Sequence, residues 1–171
     1  MAINNFTDGE LLTAPRMNEM VGQLNTRYYT IDQTAGRVVK VWDYLNNREQ
    51  MVYGDTGWRT LPVTGGQAGA LRIRRTDATV TLAFSNVRNA ASGTVLIGEA
   101  PLGFRPFQTV PGMVQDSNSM RVAQALSYAP YSIQVLGVGL ANSYLTGVIS
   151  WPTNETWPTT LPGSADGGVP L

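Results

Sequence analysis

Cysteine is absent from the 171 residues, which removes disulfides, thiol nucleophiles and zinc-thiolate sites together and leaves the redox compartment open. Histidine is absent as well, and with it the commonest general base near neutral pH and the commonest transition-metal ligand. Of the 12 basic residues, Lys40 is the single lysine, so Schiff-base chemistry has one candidate. Charged residues make up 14% of the chain, well below the usual quarter. The 12 basic and 12 acidic side chains cancel without forming a block of either sign, so neither nucleic acid nor an anionic membrane is expected as a partner. No basic stretch followed by an apolar run opens the sequence and no run approaches about 18 apolar residues, so neither a signal peptide nor a membrane span is expected.

Carboxylates, tyrosines and hydroxyls remain as chemical groups, and their spacing is poor for catalysis. A glycosidase needs two carboxyl groups about 5–9.5 Å apart. Beyond Ala78 the acids are Glu99, Asp116, Glu155 and Asp166, each isolated in an expected loop or tail. Asp55 in Gly54-Asp55-Thr56-Gly57 invites comparison with the paired aspartates of two-carboxylate proteases, but the motif occurs once and its residues favour a tight turn. Asp116-Ser117-Asn118-Ser119 offers a weak set of oxygens to calcium and reads more readily as a polar loop. No enzyme, cofactor or resident metal is expected.

What is abundant is turn and strand chemistry: 18 glycines, 10 prolines and many short alternating segments. Residues 1–10 read as a polar arm carrying Phe6. Thr13 suits an N-cap and Pro15 a first helical turn, and Met17, Met20, Val21, Leu24 and Tyr28 follow at helical spacing. That helix either lies on its own domain or joins copies of itself as a short stalk. Residues 37–61 predict a three-stranded meander with a turn at Asn46-Asn47, and Trp42, Tyr53 and Trp58 exceed what so small a meander buries alone. A Gly-rich linker extends to Gly69.

From Ala70 to Trp151 the pattern is strand and turn. Leu71 to Arg75 and Thr79 to Phe84 predict a hairpin around Thr76-Asp77-Ala78, with Asp77 as an Asx cap. Thr94 to Ile97, Gln108 to Val114, Met120 to Leu126, Tyr131 to Val138 and Tyr144 to Trp151 are further strands. Pro101 to Pro106 is a loop pinned by Leu102 and Phe104. Short strands at this spacing predict an antiparallel β-sandwich or jelly-roll-like knob. The fold class is therefore mainly β: an arm and helix over 1–36, a β-meander and linker over 37–69, a knob over 70–151 and a loosely ordered tail over 152–171. Trp157 should dock somewhere within or beyond that tail.

Three segments, Val52 to Arg59, Leu71 to Leu82 and Pro101-Leu102-Gly103-Phe104-Arg105-Pro106, occur in an order that resembles small minor tail or fibre proteins of phages infecting actinobacteria and related hosts. Residues Phe6 to Asn18 are similar to the arm and helix that precede the β-knob there, although Ala100 stands where leucine is usual before the Pro-x-Gly-Phe-Arg-Pro loop. The resemblance implies a trimeric virion component, made in the host cytoplasm, that adheres to a host surface or decorates the particle. It implies attachment to other virion proteins through residues 1–30. Phe6, Met17, Met20, Val21, Leu24, Trp42 and Trp58 are the candidate attachment and self-association residues. Tyr128, Tyr131, Tyr144, Trp151 and the Arg72–Arg74 pair are candidates for meeting a host cell-surface glycan; the bland alternatives are core packing for the aromatics and a solvated or ion-paired face for the arginines.

Overall fold

The computed structural model describes residues 28–30, 36–43, 46–64, 68–89, 91–116, 119–139 and 141–168. Twelve strands run through them: β1 (Tyr28–Thr30), β2 (Arg37–Asp43), β3 (Arg48–Asp55), β4 (Arg59–Leu61), β5 (Ala70–Thr76), β6 (Thr79–Arg88), β7 (Gly93–Glu99), β8 (Val110–Asp116), β9 (Ser119–Ala125), β10 (Ser132–Val138), β11 (Tyr144–Pro152) and β12 (Ser164–Ala165). They form one curled antiparallel sheet in the order β1-β2-β3-β5-β6-β11-β8-β9-β10-β7, with β4 on β5 and β12 on β4.

Local chemistry accounts for the hairpins. Thr76 faces Thr79 across the two-residue turn Asp77-Ala78, where Asp77 has a φ of 51° that aspartate tolerates better than most residues. Asn47, with φ 50°, plays the same part in the turn before β3. Leu71 and Ile73 on β5 and Val80, Leu82 and Phe84 on β6 point inward, as period-two alternation predicts. They join Val114, Ile133, Val135, Leu145, Ile149 and Trp151 in a single core. Each such aliphatic side chain, fully buried, contributes about 1.5–3 kcal/mol. Curling is what lets one sheet cover its own apolar face: β7 returns over β5, where a Cβ on Gly98 would stand 3.2 Å from Leu71 Cδ2, and Thr64 N–H donates to Ile97 O at 2.8 Å.

Several expectations need correction. The helix expected from Thr13 falls, up to Arg27, outside the described residues, as do Phe6, Met17, Met20, Val21 and Leu24; Tyr28, its last apolar position, lies in β1 opposite Val41. No helix occurs among the described residues. Aromatic and β-branched residues such as Tyr28-Tyr29-Thr30 suit a pleated ribbon better than a helix.

Of the expected three-stranded meander, β2 and β3 pair, but β4 pairs with β5 instead of with β3. β3 and β4 are successive pieces of one broken edge along β5: Asp55 faces Thr76, Thr56 N–H donates to Arg75 O at 3.0 Å, and Arg59 faces Ile73. Trp42 lies in β2, opposite Glu49.

The segment after Pro152 is fastened rather than loose. Thr153 N–H donates to Ala78 O, Asp166 N–H to Trp58 O, and Ser164–Ala165 pairs with β4. Trp58 is half-buried, and its backbone carbonyl is held within the same chain.

Candidate functional site

The registers sort the connections into two ends. Thr76 faces Thr79, Thr79 faces Pro152, Val110 faces Ala125, and Ser132 faces Glu99. The turn at 77–78, the 100–109 and 126–131 loops and the segment after Pro152 therefore gather at one end of the sheet. Arg88 facing Tyr144, Gly93 facing Val138 and Asp116 facing Ser119 mark the other end.

At the first end the loops are clamped from beneath by Arg75. The same alternation that turns Leu71 and Ile73 inward turns Arg75 inward as well, where it is buried. Its guanidinium donates to Asp77 O (2.8 Å), Gly103 O (2.5 Å), Thr156 O (3.0 Å) and Glu155 O (2.8 Å), and lies 5.0 Å from the centre of the Trp157 ring. Glu155 reciprocates by accepting from Gly103 N–H at 2.5 Å and Arg105 N–H at 3.2 Å. Gly103 suits this junction because its φ of 86° is costly for other residues. Gly54 makes room for Trp157, since a Cβ there would stand 2.5 Å from the indole ring. Trp151 donates from Nε1 to Phe104 O at 2.8 Å and, with Phe104, fills the core below.

Above this support the 126–131 loop is tied to its neighbour. Arg105 lies over the Tyr131 ring at 4.2 Å, Ala100 N–H donates to Tyr131 O at 3.0 Å, and Tyr131 N–H donates to Tyr128 O at 2.7 Å. Ser127 N–H donates to Thr109 Oγ1 at 3.4 Å. The side chains left in solvent on these fixed loops are large and apolar: Leu102 is 70% exposed, Phe107 52% and Tyr128 61%. Such a surface can stack on ring faces or cover apolar groups, with fixed backbone behind it.

The sequence-derived binding residues do not form one site. Tyr128 and Tyr131 are brought together at the loop end, whereas Tyr144, also exposed, begins β11 opposite Arg88 at the far end. Trp151 is buried in the core, because the inward parity it shares with Leu145 and Ile149 on the irregular β11 leaves it no solvent. Arg72 and Arg74 share the outer face of β5 and are both ion-paired within the chain, Arg72 with Asp166 and Arg74 with Asp55. Leu102, expected to pin its loop, is exposed, and Phe104 alone does the pinning. Phe107 was missed, for nothing local separates an exposed aromatic in a Pro-rich loop from a buried one. Arg75 was missed although its alternation with Leu71 and Ile73 carried the signal.

Of the four isolated acids, Asp116, Glu155 and Asp166 have a structural occupation. Asp116 accepts from Arg121 Nε at 3.3 Å and Gly139 N–H at 3.4 Å, and among the described residues no three His, Cys, Asp or Glu side chains gather as for a metal. Asp77 Oδ1 accepts from Gly54 N–H at 2.7 Å, a bond that ties its turn to β3 across 23 positions instead of capping the turn locally. Asp55 is buried, which pushes its pKa up. The bidentate Arg74 guanidinium, Gly57 N–H and Tyr53 hydroxyl outweigh burial and hold the carboxyl below its usual range. A depressed folded pKa means that this stabilisation is full above about pH 4, the unfolded value, and is lost as pH falls through the folded one. Asp55→Asn is therefore expected to cost about 1–2 kcal/mol at neutral pH. Urea melts at stepped pH should show the variant losing less stability than the wild type on acidification below about pH 4.

No protein-family model and no curated protein matches this sequence.

Proposed function

We propose that the chain is a non-enzymatic binding and assembly module of a phage virion, a small tail or fibre protein whose loop end meets a host cell-surface glycan. The carrying observation is the set of exposed apolar side chains Leu102, Phe107 and Tyr128, the first two on a loop that Arg75 and Glu155 tie down and the third on a loop joined to it through Tyr131. Rigid display keeps the ordering cost of binding low. The resemblance of the Val52 to Arg59, Leu71 to Leu82 and Pro101 to Pro106 segments to phage tail and fibre proteins supplies the virion context. In this reading the curled sheet is a jelly-roll-like sandwich knob, three copies associate, and three weak sites gain avidity together.

The test is binding of the labelled full-length chain to intact actinobacterial cells and to their purified cell-wall polysaccharide. Saturable binding is expected, with Phe107→Ala and Tyr128→Ala each weakening it about tenfold, as loss of an exposed aromatic contact of about 1.4 kcal/mol does. Because both side chains are exposed, melting midpoints should stay within about 0.5 kcal/mol of wild type. No reducing ends should appear during incubation. Absence of binding by the wild type, or full binding by both variants, removes the adhesin reading. It leaves the second one, a purely structural head fibre or decoration protein, which the exposed apolar side chains of β8, β9 and β11 favour.

A further inference from the structure

Outward from the core, a second apolar surface crosses the middle of the sheet, well away from the loop end. Ala83 of β6 faces Val148 of β11; Val148 follows Gly147, which faces Val114, the neighbour of Met113 on β8. Met113 in turn faces Val122 of β9, and Val122 faces Leu136 of β10. The row thus crosses five adjacent strands. Met113 is 51% exposed, Val148 58%, and Met120, on the same face of β9, 55%. At about 4.8 Å per strand the row is about 20 Å wide.

The polar residues around it are as informative as the row. From Thr81 to Ser85 of β6, and along β11, β8, β9 and β10, no outward position carries a charge. The places are taken by residues such as Thr81, Thr146, Ser150, Gln115, Gln124 and Gln134. The bordering outward charges on β5, Arg72 and Arg74, are already paired with Asp166 and Asp55.

We propose that this stripe packs against the same stripe of a neighbouring copy of the chain. A surface without charge is complementary to itself: apposing two copies brings no like charges together, and a chain of net charge zero does not repel its own kind at longer range. Charge depletion with methionine enrichment is the composition of an interface centre. Methionine's flexible side chain also lets two identical surfaces interdigitate. The inference rests on the self-association proposed above, not on its three-copy count, since like surface on like surface is a twofold contact, and it is independent of glycan binding at the loop end.

The experiment is mass measurement by light scattering and sedimentation of the full-length chain, of Met113→Glu/Val148→Glu and of Met113→Lys/Val148→Lys. All the substituted side chains are exposed, and strand content by circular dichroism should match the wild type. The wild type is expected to be a multimer at micromolar concentration and each variant a single chain. An equimolar mixture of the two variants should recover a multimer, because opposite charges then face each other across the stripe. A monomeric wild type overturns both the assembly and the stripe. A multimeric wild type whose mass neither variant changes, or variants that fail to associate on mixing, overturns the stripe alone. Cell binding by the monomeric variants through Tyr128 and Phe107, weakened only by lost avidity, is read separately.

Discussion

Replacing Arg75 with methionine is expected to lower the stability of the chain by about 3–5 kcal/mol, as removing one partner from a buried charged network does. The guanidinium satisfies four backbone carbonyls drawn from three separate stretches of chain, at Asp77, Gly103 and Glu155-Thr156. Methionine fills a similar volume but donates nothing, so those carbonyls lose their partner and the Glu155 carboxylate loses a nearby cation. Lysine restores the charge without the planar fork or the surface that lies on Trp157, and should recover less than half of the loss. Urea unfolding at fixed protein concentration reads the effect, with a melting midpoint about 10 °C lower in a chain of this size. The consequence reaches function, because Gly103 and Glu155 position the loop that carries Leu102 and Phe107. Binding at the loop end should therefore weaken in a variant that touches no ligand. Stability within about 1 kcal/mol of the wild type would mean that water replaces the guanidinium, and that the clamp is dispensable.

Trp151→Ala is expected to cost a further independent sum of about 3–5 kcal/mol, the range for deleting a buried aromatic side chain. The indole is enclosed by the core and its N–H is used by Phe104 O. Trp151→Phe keeps most of the packing and drops the hydrogen bond, so about 1–2 kcal/mol is expected. The comparison separates a core residue from a sugar-stacking one. If Trp151 packs the core, both variants move the melting midpoint in that order. Loss of cell binding by Trp151→Ala at an unchanged midpoint would instead return it to the surface role first expected of it. Tyr128→Ala is the mirror image, with binding altered and the midpoint unmoved.

The sequence by itself determined where the strands of residues 70–152 run and which way most of their side chains face. Leu71 and Ile73, and then Val80, Leu82 and Phe84, alternate with polar neighbours, and Asp77 and Asn47 mark turns; these signals depend on neighbours a few residues away and are readable one segment at a time. The same alternation contained Arg75, passed over because a charged residue next to a turn is ordinarily solvated. Tertiary structure alone decided the neighbours. β11 lies between β6 and β8, β3 and β4 share β5, and the segment after Pro152 folds back to supply Glu155 and Trp157. It also divided Tyr128 and Tyr131 from Tyr144 and sent Trp151 into the core. The reason is physical: alternation fixes the face a side chain takes, whereas strand order depends on contacts between residues about 80 positions apart, such as Arg75 with Glu155, which no local pattern encodes.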